Sequence, residues 1–142
     1  FIVGQQQLLL IVLSVIIVGI SVVVGIQTFS SSAAAANQDA VVADLTKMGS
    51  DAQGWYRKPN MLGGGGSSFG NTTLTLLGYP TTPADVAGSY ATSNGDYTIT
   101  SRSGSDFVIQ GIGKEDGDGD GTPVTVDMTV QPNNVVFNVS NR

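Results

Sequence analysis

The sequence predicts an α+β chain, with one long N-terminal α-helix packed on a small antiparallel β-meander headgroup. Three observations predict it. Residues 8–26 form an almost unbroken apolar run, LLLIVLSVIIVGISVVVGI. Apolar residues at three- and four-residue spacing then continue as far as Trp55. Beyond Asn60 the period changes to two, in short Thr- and Val-rich runs separated by turn residues.

The apolar run contains only Ser14 and Ser21 as polar side chains. Each can bond back to a carbonyl one turn earlier, so neither needs an outside partner. A helix of about 20 apolar residues crosses the hydrocarbon core of a bilayer, and this run meets that length. The first charged side chain in the whole chain is Asp39. Three readings compete for such a segment: a secretory signal peptide, a plain transmembrane anchor, and a helix that lies in the membrane first and then packs against copies of itself. A signal peptide carries a basic flank and a small-residue cleavage site. An anchor usually carries Lys or Arg on its cytoplasmic flank. Neither feature is present, and a helix apolar on every side suits the third reading. The chain starts with Phe1 rather than Met, as expected of a processed product.

The helix is expected to continue. Ala33 to Ala36 favour it strongly, and Val41, Val42, Leu45, Met48, Ala52 and Trp55 form an apolar stripe beyond them. Asp39, Asp44, Lys47 and Asp51 fall on the other side, where Asp44 and Lys47 make a favourable i,i+3 pair. Gly54 and the Lys58-Pro59 step supply the stop. A helix from about residue 2 to about residue 54 is roughly 80 Å long. Its first half needs a membrane or a bundle, and its second half needs a domain to pack on. Gly19 and Gly25 are the places where it could loosen. The chain therefore divides into a transmembrane or filament-core helix, 1–32, and a headgroup, 33–142. The headgroup comprises the second half of the helix (33–54), a Gly/Ser-rich loop (60–71) and a sheet over about 72–140.

Within the sheet, Leu74 to Tyr79 is the first candidate strand. Tyr97–Arg102 and Phe107–Ile112 read as a hairpin across Ser-Gly-Ser, and Val124–Val130 and Val135–Val139 as a second pair across Gln131-Pro132-Asn133-Asn134. The helix stripe is the cover for their apolar face. Gly63 to Gly66 are not a phosphate loop, because no Gly-Lys-Ser/Thr follows and no strand precedes. They read as a surface or subunit-contact loop. Trp55, Tyr56, Tyr79 and Tyr90 read as core or contact residues rather than a ligand box.

Composition excludes several functions. The chain has no Cys and no His, which removes disulfides, thiolate chemistry and the commonest general base and metal ligand. A net charge of −5, with six scattered basic residues, argues against nucleic acid as a partner. No nucleophile stands near a base, so no enzyme is expected.

Residues 115–121 read Glu-Asp-Gly-Asp-Gly-Asp-Gly. Asp116, Asp118 and Asp120 have the first, third and fifth spacing of a calcium loop, and Gly121 falls at the sixth position. Thr122 can offer a carbonyl at the seventh, and Asp127 stands at the twelfth, where an EF-hand places Glu. The flanks read as strands, so the expected structure is an acidic loop between strands, either simply solvated or holding calcium through Asp116, Asp118, Asp120 and Asp127.

Phe1, the long uncharged helix, its amphipathic continuation and the small β-rich domain together resemble the type IV pilin and pseudopilin superfamily. The resemblance implies cleavage just before Phe1 by a prepilin peptidase and N-methylation of Phe1. It implies an inner-membrane anchor before assembly, and then a helical homopolymer at the cell surface, built with a pilus assembly machinery. Its assembly residues here are Phe1, Gln5, Leu8, Leu9, Ile11, Val12, Val15 and Ile16. Two positions depart from the pattern: Gln5 stands where the family has Glu, and Val22 where it commonly has Pro. The role implied is a structural subunit for adhesion, motility or DNA uptake. The alternatives are a major pseudopilin of type II secretion, whose late-strand calcium loops resemble residues 115–121, or a monomeric membrane-anchored calcium-binding module. Asn71-Thr72-Thr73 and Asn138-Val139-Ser140 match the N-glycosylation pattern.

Overall fold

The computed structural model describes residues 2–82 and 88–141, with the backbone alone for Ile2. Helix α1 runs from Ile2 to Arg57 without a break. At 1.5 Å per residue, its 56 residues span about 84 Å. Gly19, Val22, Gly25 and Gly54 all lie inside it. Gly54 alone costs only about 1 kcal/mol relative to Ala, too little to end a helix held by tertiary packing. The stop is the Lys58-Pro59 step, where the ring excludes the preceding residue from helical geometry.

Five strands follow: β1 (Tyr90–Ala91), β2 (Gly95–Arg102), β3 (Phe107–Gly113), β4 (Thr125–Gln131) and β5 (Asn134–Asn141). They form one antiparallel sheet in sequence order. The two expected hairpins are present, with Arg102 opposite Phe107 and Gln131 opposite Asn134. Leu74–Tyr79, expected as a strand, is instead a run of turns. Gly78 adopts a left-handed φ of 93°, and the N–H of Tyr79 returns to the carbonyl of Leu74. Leu74 and Tyr79 are buried anyway, so the hydrophobicity that suggested a strand serves the core from a folded-back loop. The sheet therefore begins at β1 rather than near residue 72.

Helix α1 lies over β3 and β4. Val41, Leu45, Met48 and Ala52 are fully buried against Tyr97, Phe107, Ile109, Val126, Met128 and Val130. Strand alternation supplies that face, since Val126, Met128 and Val130 point inward while Thr125, Asp127 and Thr129 do not. Close approach depends on Gly111, where a Cβ would stand 2.8 Å from Val41 and 3.0 Å from the Tyr97 ring.

The polar side of the helix departs from expectation. Asp44 and Lys47 do not pair; among the described residues the only salt bridge is Lys114–Asp96, at 3.2 Å. Asp44 accepts instead from the Tyr97 hydroxyl at 2.6 Å and from Asn94 Nδ2 at 3.1 Å. Asp51 accepts from the Tyr79 hydroxyl, and Lys47 sits 5.4 Å from the centre of the Tyr79 ring. Burial and these carboxylates push both tyrosine hydroxyls well above their ordinary pKa. Two exposed-looking acids thus fasten β2 and the folded-back loop around Tyr79 to the helix.

The glycine run caps the helix. The carbonyl of Trp55 accepts from the N–H of Gly65 at 2.8 Å, that of Lys58 from Gly66 at 3.0 Å, and that of Tyr56 from Ser67 at 2.9 Å. These satisfy the carbonyls that a helix end leaves unpaired. Trp55 consequently packs under the loop rather than in the core. A Cβ on Gly65 would meet the Trp55 ring at 2.5 Å and the Ser68 carbonyl at 2.6 Å. Gly65→Ala is therefore expected to lower stability by roughly 1–3 kcal/mol through forced displacement. Gly54→Ala, with open space around its Cβ, should raise it by up to about 1 kcal/mol. Chemical denaturation of the two variants measures both signs.

Candidate functional site

Two features stand out from the headgroup core: the uncovered half of α1 and the acidic loop. From Val3 to Ile26 each large apolar side chain is 52–69 % exposed, so the chain covers none of them itself. Among the described residues, Ala34 is the first buried apolar one of the helix. The segment is long and apolar enough to cross a membrane. Ser14, Ser21 and Thr28 donate to the carbonyls of Leu10, Ile17 and Val24, at 2.7–2.9 Å. The hydroxyls of Ser14, Ser21 and Thr28 are thus satisfied within their own helix.

Of the expected assembly residues, Gln5, Leu8, Leu9, Ile11, Val12, Val15 and Ile16 are all exposed on this half. By helical spacing they share one side of the helix, an arc of about 160°, on an apolar surface that continues around the other side as well. Phe1, expected to be N-methylated, lies outside the described residues.

The acidic loop joins β3 to β4. Its base is closed by Gly113 N–H to the Val124 carbonyl at 2.7 Å and by Val124 N–H to the Glu115 carbonyl at 2.9 Å. Asn37 of the helix fixes the base in place. Its Oδ1 accepts from the N–H groups of Lys114 and Glu115 at 2.8 and 3.3 Å, and its Nδ2 donates to the Asn94 carbonyl at 2.8 Å. Sequence reasoning missed Asn37; a lone amide in a helical stretch carries no pattern that marks it.

At the tip the carboxylates organise the backbone. Asp116 accepts from Gly119 N–H and Gly121 N–H, both at 2.7 Å, and Asp120 accepts from Thr122 N–H at 2.7 Å. Gly119 and Gly121 take left-handed φ values of 79° and 87°, which their lack of a Cβ allows. Asp116, Asp118 and Asp120 each bring one oxygen to a common point, all within 4.8 Å of one another. Oxygens around a calcium ion bound at 2.3–2.6 Å are separated by up to about 5 Å, so the spacing fits such an ion. Asp127 does not join them. The strand pleat turns it to the outer face of the sheet, where it accepts from Gln110 Nε2 at 3.0 Å and Ser140 Oγ at 3.1 Å.

The tip borders the helix at the edge of its covered part. One cleft is lined by Ser31, Ala34, Gln38 and Asp118, and an adjoining one by Gln27, Ser30 and Asp116. Asn71 and Asn138 are both exposed, Asn71 in the loop after the glycine run and Asn138 on β5. A scan against protein-family models, a search of curated proteins and a search of solved structures each find no match to this chain.

The N–H groups of Gly119 and Gly121 hold the Asp116 carboxyl below the usual carboxylate range. Because the folded value is lowered, the ordering it provides is present above the unfolded value of about 3.9 and is lost as pH falls through the lower folded value. In metal-free protein, the amide signals of Gly119 and Gly121 should titrate with a midpoint below that of a free aspartate. An Asp116→Asn variant should lose this transition, and a midpoint at or above the free value would contradict the loop geometry.

Proposed function

We propose that the chain is the structural subunit of a type IV pilin-like helical filament. In this reading it is anchored in the inner membrane by the first half of α1 and polymerises at the cell surface through that same half. One observation carries the reading: some eight turns of continuous helix, uncharged and uncovered, extend from a well-packed headgroup. Exposed apolar surface on this scale marks an interaction with lipid or protein. The same helix can meet both, exchanging lipid for neighbouring copies as assembly proceeds. Phe1 would carry N-methylation after cleavage by a prepilin peptidase. Gln5 would offer an amide hydrogen bond, not an ion pair, to a neighbour's terminal amine.

Filament contact then rests on apolar packing along Leu8, Leu9, Ile11, Val12, Val15 and Ile16. Val15→Asp is expected to abolish filaments, since an unpaired charge in such a core costs several kcal/mol. Electron microscopy of the surface, alongside immunoblotting for the membrane-held subunit, reads the outcome. Normal filaments in this variant would overturn the assembly reading, as would a detergent-solubilised chain that stays monomeric under every condition.

The convergence of Asp116, Asp118 and Asp120 supports a second element, a bound calcium ion. The ion would neutralise three carboxylates and stiffen the β3–β4 loop, with further oxygens supplied by carbonyls or water. This element also fits the alternative of a major pseudopilin, and equally a monomeric membrane-anchored calcium module. Chelation is expected to lower the melting temperature of the headgroup, and Asp118→Ala to remove the difference between chelated and calcium-loaded protein. Equal melting of the native protein in both conditions would rule the ion out. Asp127→Asn should leave the difference intact.

A further inference from the structure

At the far end of α1 from the acidic loop lies a separate cleft. Trp55, Asn60, Ser68, Asn71, Leu76 and the backbone of the glycine run line it. Its volume is about 220 Å³, below the 300–1,000 Å³ of sites for larger ligands, and suited to a single ring. No charged side chain lines it, so it offers no counter-ion to a phosphate, a carboxylate or an amine. Its lining instead alternates two apolar surfaces, the indole and Leu76, with two amides and a hydroxyl. The chemistry that matches is a neutral ring with an apolar face and a rim of hydroxyls. Independently, Asn71 opens the only acceptor pattern at this end, Asn71-Thr72-Thr73, and its side chain is exposed. Two unrelated observations thus indicate the same ligand class at one place.

We infer that this cleft holds a neutral sugar residue, one ring face on the Trp55 indole and Leu76, its hydroxyls bonded to Asn60, Ser68 and Asn71. Two sources share that chemistry, a glycan carried by Asn71 itself and a saccharide from outside. In the first case the amide nitrogen of Asn71 bonds to the anomeric carbon of an activated sugar diphosphate and gives up a proton. The diphosphate leaves with the electron pair of the broken carbon–oxygen bond.

Trp55 is the single tryptophan of the chain and reports on the cleft directly. In one arm, full-length protein from its native source is compared with its Asn71→Gln variant, with mass spectrometry of the Asn71 peptide alongside. A glycan in the cleft predicts a red-shifted emission and increased acrylamide quenching in the variant. The same substitution made in a host without N-glycosylation should change neither. In the other arm, protein from that host is titrated with glucose, galactose and N-acetylglucosamine. An external ligand predicts a saturable blue shift with at least one of them, lost in Asn60→Ala. A response in either arm supports the site and identifies the source. No change of Trp55 emission in both arms overturns it. Neither readout requires polymerisation, so the result is independent of the filament reading.

Discussion

The apposition of Val41, Leu45, Met48 and Ala52 with β3 and β4 is the contact on which the rest of the chain depends. Without it the strands have no second layer, and a single twisted sheet cannot shield its apolar face. The helix likewise gains its rigidity here. Isolated helices in water are marginal, yet α1 is fixed over its second half by buried apolar contacts, by the Asp44 and Asp51 bonds to tyrosines, and by the glycine cap. A helix anchored in this way carries its first half beyond the headgroup without a break. The fold thus spends its packing on one half of the helix and presents the other.

That presentation explains the lack of charge. On the proposed reading, any Lys or Asp before Ala34 would have to be stripped of water in a membrane or in a bundle, at a cost no exposed ion pair recovers. Ser14, Ser21 and Thr28 are tolerated because each is satisfied within its own helix. The helix is also continuous through Val22, where Pro would have broken it. In the proposed filament, a subunit with this sequence would thus pack as a more regular rod than one with a mid-helix breaker.

Much of this was legible in the sequence, and the exceptions have a common cause. The helix and both hairpins follow from periodicity and composition, which are local signals. The convergence of Asp116, Asp118 and Asp120 was legible as well, because alternate carboxylates on a glycine turn have few other ways to lie. What escaped was long-range. Asp44 and Asp51 were expected to be solvated or paired with Lys47, since nothing local reveals that Tyr97 and Tyr79 arrive from 53 and 28 residues away. Leu74–Tyr79 has strand composition but is bent by Gly78, and its apolar residues fill the core from turns. Asp127 was counted into the calcium set by sequence position, whereas the pleat of β4 carries it to the opposite face. The four glycines read as a slack loop, although their absent side chains are what allow a tight cap over Trp55.

The acidic loop acquires meaning from where the fold puts it. Asn37 ties the loop base to α1 three residues beyond Ala34, where cover begins. The tip then reaches back over Gln27, Ser30 and Ser31, the last uncharged turns before the exposed apolar half. Three converging carboxylates at that level face an uncharged helix with no basic side chain in its first 46 residues. Their mutual repulsion has no neutralising partner on the neighbouring helix. Backbone N–H groups offset part of it, as the lowered pKa of Asp116 records. A hard cation would offset the rest while leaving the helix itself free of charge. A basic side chain on α1 could neutralise the loop equally well, but only by placing a charge beside the segment that the proposed reading keeps dry. On this reasoning the uncharged helix and the acidic glycine loop are two consequences of a single constraint.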